Sequence, residues 1–141
     1  MTRLFYVVGL FTLALGVSYG QTAVAEANVP FDFHMGQAVM PAGSYRILES
    51  NGLLIVSAVR GAPSARVLTL PTTRHGKSSN PQLQFERYGS ESYLEEIWPS
   101  NSREGLALHR SKQERELASR AVSKPVEVAL ERPNHPSNDA R

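Results

Sequence analysis

Turn signals divide the stretch from Val29 to Pro99 into short segments, and few folds accept that spacing. Pro41-Ala42-Gly43, Asn51-Gly52, Gly61-Ala62-Pro63, the Pro71–Pro81 stretch and Gly89-Ser90 recur at intervals of roughly 8–14 residues. The segments between them are rich in β-branched and aromatic residues, which marks them as strands. About six strands joined in this way over residues 28–99 predict an all-β fold, a small antiparallel sandwich or barrel. No segment is followed by a helical crossover, which argues against a parallel α/β sheet.

The local patterns support this. Val29, Phe31 and Phe33 alternate with Asp32 and His34, so one face of that strand is buried. Met40 to Ser44 reads as a tight turn, with Pro41 presetting φ and Gly43 expected at positive φ. Tyr45 and Ile47 resume the alternation. Asn51-Gly52 is a strong hairpin signal. Leu53–Val59 is an apolar run of buried-strand length, and Ala65–Leu70 is rich in strand formers. The predicted core is Phe31, Phe33, Tyr45, Ile55, Val67, Phe85, Leu94 and Trp98.

Different compositions flank this unit. Met1–Arg3 carries one cation, Leu4–Val17 is almost wholly apolar, and Ala23-Val24-Ala25 and Ala25-Glu26-Ala27 are small-x-small sites. That order is a secretory signal peptide, predicted over residues 1–25 with cleavage after Ala25 or Ala27. Its apolar run of about 14 residues is shorter than a comfortable bilayer span, so no stable span is expected after cleavage. The expected destination is the periplasm or the exterior. Residues 102–123 predict a charged helix. Ser111 and Glu114 fit a capping box, Glu116 and Arg120 an ion pair, and Leu117, Ala118, Ala121 and Val122 a narrow apolar stripe. Residues 124–141 contain Pro125, Pro133 and Pro136 and predict a mostly disordered tail, in which Val126, Val128 and Leu130 alternate as an edge strand would.

Composition closes several routes to chemistry. The chain has no cysteine, which excludes disulfides, thiolate metal sites and thiol nucleophiles. Its formal net charge is +2 and its cations are scattered among carboxylates, unlike the basic stripe of a nucleic-acid binder. His34, His75, His109 and His135 have no metal-ligand spacing, and His34 is expected to be solvated. There is no Gly-x-Ser-x-Gly elbow, and Asp32 is the sole aspartate of the β unit. The glycines are isolated turn glycines rather than a phosphate loop. Glu95 and Glu96 are expected on opposite strand faces, so they cannot form a dyad. Glu96 shares the face of Leu94 and Trp98. It needs a cation such as Arg87 or Arg115 if that face is inward, or is half wet beneath the helix if it is not. Tyr88, Tyr93 and Trp98 are core residues or line a small apolar or sugar-binding cleft. The candidate interaction surface is therefore Tyr88, Tyr93, Glu96, Trp98 and Arg115, with no catalytic residue, metal or cofactor.

The pattern Phe31-x-Phe33-x-x-Gly36, then Pro41-Ala42-Gly43-x-Tyr45, Tyr93-x-x-Glu96-Ile97-Trp98 and Ser111-Lys112-x-Glu114-Arg115-Glu116-Leu117 resembles a group of small exported bacterial proteins with no assigned activity. The resemblance implies export and a β-rich fold. The Pro-Ala-Gly-x-Tyr piece is also similar to the corner of transthyretin-like sandwich modules. The expected function is a non-enzymatic exported β-domain, an interaction or structural protein of the cell envelope. Its partner would be another envelope protein or a second copy. The alternative is a small β-barrel that binds an apolar ligand or glycan.

Overall fold

The computed structural model describes residues 22–76, 80–99 and 103–132. The elements in chain order are β1 Thr22–Val29, β2 Phe33–Met35, β3 Ala38–Met40, β4 Gly43–Ser50, β5 Leu53–Ala58, β6 Ser64–Thr73, β7 Gln82–Tyr88, β8 Glu91–Trp98, β9 Glu104–Leu108, α1 Lys112–Ala118 and β10 Lys124–Ala129. The all-β expectation holds: among the described residues ten strands form one mixed sheet, accompanied by a single short helix. Its order is β1-β4-β5-β6-β9-β8-β2-β3, with β7 on β8 and β10 on β7. Among the described residues only β2 and β8 pair in parallel, at His34 and Tyr93.

One strand serves both halves of the sheet. Leu68 and the residues before it in β6 pair with β5, whereas Thr69–Thr73 pair with β9. The first strand and the segment after the last one meet at a single bridge. Glu26 of β1 and Glu131, just past β10, exchange two backbone hydrogen bonds of 2.8 Å.

Several sequence expectations are corrected here. The count rises from about six strands to ten. Glu104–Leu108 lies inside the expected 102–123 helix yet forms β9, because its backbone finds partners on β6 and β8. Tertiary pairing of this kind overrides helix propensity. The helix shrinks to Lys112–Ala118, so Arg120 falls beyond it, and Val122 is exposed while Leu117 and Ala118 are half-buried. The edge strand expected near Val126–Leu130 is β10, with Val126 opposite Phe85 and Val128 opposite Leu83. Residues 133–141 lie outside the described residues, as does the leader up to Gln21. Thr22–Ala25, the end of the expected leader, begin β1, and Ala25 and Ala27 are both buried. Both expected cleavage sites thus fall within a hydrogen-bonded strand.

The corner around Pro41 has a physical explanation. Gly43 does not take positive φ; it begins β4 opposite Val29, and Gly36 supplies the left-handed residue between β2 and β3 at φ +60°. The Tyr45 hydroxyl donates to the Pro41 carbonyl, and Asp32 Oδ1 accepts from the Ala42 amide at 2.8 Å. A tyrosine that reaches back to upstream backbone pins strand corners in β-sandwiches. Asn51 and Gly52 take positive φ, as the hairpin signal predicts, and Thr69 clamps that turn by donating to the Gly52 carbonyl.

The inner face carries the core. Phe33 meets Tyr45 and Phe85 edge-on, with centroids 5.3 Å apart in each case, and Phe31 meets Phe85 at 5.1 Å. Tyr45, Ile47, Leu54, Val56, Leu83, Leu94 and Ile97 extend it. Of the predicted core, Phe31 and Val67 are partly buried against this cluster. Ile55 is only half-buried, because Leu54 and Val56 take the inward positions of β5. Trp98 is buried but belongs to the opposite face of β8 from Ile97.

Candidate functional site

The outer face of β7 and β8 collects most of the polar chemistry. A bulge creates it. Gln84 pairs with Glu96 and Phe85 with Leu94, so Glu95 is an extra residue on β8. Bulges re-aim a side chain relative to the strand alternation. Glu95 is turned toward α1, where it meets Arg110 and Glu114.

Glu114 is the unexpected member. It occupies the capping-box position, and its amide donates to Ser111 Oγ at 3.1 Å as predicted. Its side chain, however, is buried against the sheet rather than wrapped around the helix end, with only 3% of the residue exposed. Arg110 Nε lies 2.6 Å from Glu95 Oε1 and 3.8 Å from Glu114 Oε1. Burial, the hydrogen bond with Glu95 and the charge of Glu95 push the Glu114 carboxyl up to about 8, against the opposing pull of Arg110 and the Ser111 backbone. Two carboxyls in one site hydrogen-bond only while one holds a proton. Burial also raises the Tyr88 and Tyr93 phenols, with Glu91 and Glu114 adding to Tyr93. The Tyr93 hydroxyl and Glu114 Oε1 are buried without a hydrogen-bond partner among the described residues. Replacing Ser111 by alanine removes the cap that seats this helix. The expected cost is about 1 kcal/mol in a urea melt, with earlier exchange of the α1 amides.

Tyr88 and Tyr93 meet edge-on at 5.9 Å, and His34 stacks on Tyr93 at 4.5 Å. His34 Nε2 bonds Glu91 Oε2, so the expectation of a solvated histidine is corrected: the ring is clamped between β2 and β8. Asp32 is occupied at the Ala42 amide and does not serve His34.

The far end of β8 is a separate cluster. Trp98 Nε1 donates to Glu96 Oε2 at 3.1 Å, and Arg74 covers the indole at 4.0 Å. Gly105 lies against the same ring. Glu96 is therefore half-buried beside Trp98, and neither Arg87 nor Arg115 pairs with it. Arg87 donates to Ser92 Oγ at 3.1 Å and lies over Phe31. Arg115 is exposed on α1, and its side chain makes no ion pair among the described residues.

The sequence-predicted surface thus divides. Tyr88 and Tyr93 come together beneath α1, Glu96 and Trp98 come together near β9, and Arg115 joins neither. All three aromatic residues are buried, so they line no open groove. Sequence reasoning missed Glu95, Arg110 and Glu114. The one signal present was the Ser111–Glu114 capping box, which locates Glu114 but does not reveal that its side chain turns inward.

The inner face offers the open space. A cavity of about 410 Å³ opens at one end of the curled sheet. Ile47, Leu54, Ile97 and Leu106 form its apolar wall, and Glu49 and Glu104 stand at its edge. Its volume falls in the range of small-molecule sites, roughly 300–1,000 Å³. Among the described residues, no helix is long and apolar enough to cross a membrane, and no group of three or more His, Asp or Glu is placed to hold a metal ion. In comparisons with known proteins, the chain matches no family model, no curated protein and no solved structure.

Proposed function

We propose that the chain is a non-enzymatic exported β-domain of the cell envelope that works by binding, its sheet curling into a small barrel whose open end receives an apolar ligand. The cavity lined by Ile47, Leu54, Ile97 and Leu106 carries this reading. The bridge between Glu26 and Glu131 supports the curl, since it brings the first strand to the last. On the outer face, Glu91 is paired with His34 and Glu95 with Arg110 and Glu114, which supports a packing role for these groups.

A second reading has its own support. Leu48, Leu53, Ile55, Leu68 and Leu70 form an apolar row on the outer face of β4 to β6, with Leu68 70% and Leu70 51% exposed. Contiguous apolar surface of this kind marks interaction sites. It suits contact with another envelope protein or a second copy.

Native mass spectrometry of the chain, purified gently from an expressing host, tests both. A stoichiometric small-molecule adduct is expected on the monomer. A bare, strictly monomeric mass at every concentration overturns the binding role. A bare dimer whose association is lost on Leu68→Ser with Leu70→Ser replaces the first reading with the second.

A further inference from the structure

We infer that the slot between the first half of β6 and the β2–β3 hairpin takes an added strand, an extended partner segment that is acidic on its outward face. The slot shares no lining residue with the cavity described above, and the inference stands apart from the ligand reading.

β6 has an unpaired edge here. The Ala58 amide donates to the Pro63 carbonyl at 3.0 Å and the Thr69 amide to the Gly52 carbonyl at 2.8 Å, so the odd-numbered residues of this stretch bond toward β5. Backbone groups alternate in direction along an antiparallel strand, which turns those of Ser64 and Arg66 the other way. β9 covers that side only from Thr69 onward, because the chain leaves it after Leu108 for α1. Among the described residues, the amides and carbonyls of Ser64 and Arg66 therefore have no backbone partner. A free edge of this kind is a template for another chain.

A space of about 520 Å³ lies against this edge, with Met35, Gly36 and Ala38 of the hairpin on its far side. A Cβ at Gly36 would stand 3.8 Å from a Val67 methyl, so the hairpin covers the inward side chains of β6. Charge selects the occupant. The lining holds Arg66, His109 and Arg110 and no carboxylate. Arg110 is committed to Glu95, whereas Arg66 is exposed and makes no ion pair among the described residues. Lys112 and Glu116 line the adjoining hollow and add one charge of each sign. In an antiparallel pair the residue opposite Arg66 shares its face, so a glutamate there meets the guanidinium while its amide bonds the Arg66 carbonyl. The residues on either side of it turn toward Met35 and Ala38 and are apolar. A second copy of this edge would bring two Arg66 side chains together, which like charge disfavours.

The probe is a dye-labelled heptapeptide in which glutamate alternates with valine, titrated into the full chain by fluorescence anisotropy. It is expected to bind about fivefold more tightly than its glutamine counterpart, with the lysine counterpart weakest, since partly exposed charge pairs give gains of that order. Arg66→Gln with His109→Gln is expected to bring the three peptides within about twofold of one another. On the unaltered chain, N-methylation of the glutamate amides is expected to weaken the parent peptide by about tenfold or more, and N-methylation of the valine amides by about twofold at most. Bound peptide should also slow hydrogen exchange at the Ser64 and Arg66 amides. Equal binding by the two methylated peptides, a charge preference that survives the double variant, or amides left unprotected at saturation overturns the proposal. So does a dimer that protects the same amides with no peptide present, or the failure of every probe to bind.

Discussion

Gly105→Ala is expected to destabilise the fold by about 3 kcal/mol, at the upper end of the usual cost of overpacking. A Cβ at this position would stand 2.5 Å and 2.7 Å from two carbons of the Trp98 ring and 2.9 Å from the Ile97 carbonyl oxygen. Real Cβ atoms do not approach so closely, so something must move. The carbonyl is held in the β8–β9 pairing, where Ile97 faces Leu106. The indole is 3% exposed, tied to Glu96 and covered by Arg74. Neither neighbour is the free end of a flexible chain. Fluorescence of Trp98, the single tryptophan, reports the urea transition directly. The cost should shrink in a Trp98→Leu background, measured there by circular dichroism, because the ring that the new methyl meets is gone. A change below about 1 kcal/mol in the wild-type background would mean that β9 is displaced from β8.

Raising the pH from 5.5 to 9 is expected to cost the wild type on the order of 2 kcal/mol at Glu114. Its folded pKa of about 8 stands above the ordinary 4.5. Between those values the folded chain holds a proton that the unfolded chain has released. Stability from this group is therefore full below about pH 4.5, falls as the pH rises and reaches its floor once the pH passes about 8. The full shift at about 1.36 kcal/mol per unit would give more, but relaxation around the buried pair reduces the effect. Glu114→Gln keeps the shape and a donor toward Glu95 while removing the titration. The variant should lose this slope and exceed the wild type at pH 9 in urea melts at both pH values. Parallel pH profiles for the two proteins would show that Glu114 is ionised throughout.

What the sequence disclosed followed from local chemistry. Asn51-Gly52 named its own turn, because both residues tolerate positive φ. Phe33, Tyr45, Phe85 and Leu94 declared the core by size and spacing. Ile55 was misplaced because Leu53–Val59 is apolar at nearly every position, so no alternation distinguishes the two faces. Glu104–Leu108 suits a helix by its residues, and β6, one of the two strands that capture it, lies some thirty residues upstream. Glu114 was hidden for a related reason: its neighbour Glu95 faces it only through a bulge, which period-two counting does not contain. The cavity depends on where inward rows of separate strands end, and a single strand's pattern does not say which rows share an opening.

The bridge from Glu26 to Glu131 ties almost the first described residue to almost the last. A chain synthesised from its amino end presents β1 long before β10 exists. Until residue 131 emerges, the free edge of β1 has no native neighbour and must avoid stray strands. Completion waits on the whole polypeptide, and non-local pairings of this kind assemble in milliseconds to seconds rather than microseconds. The two backbone hydrogen bonds between Glu26 and Glu131 then act as the clasp.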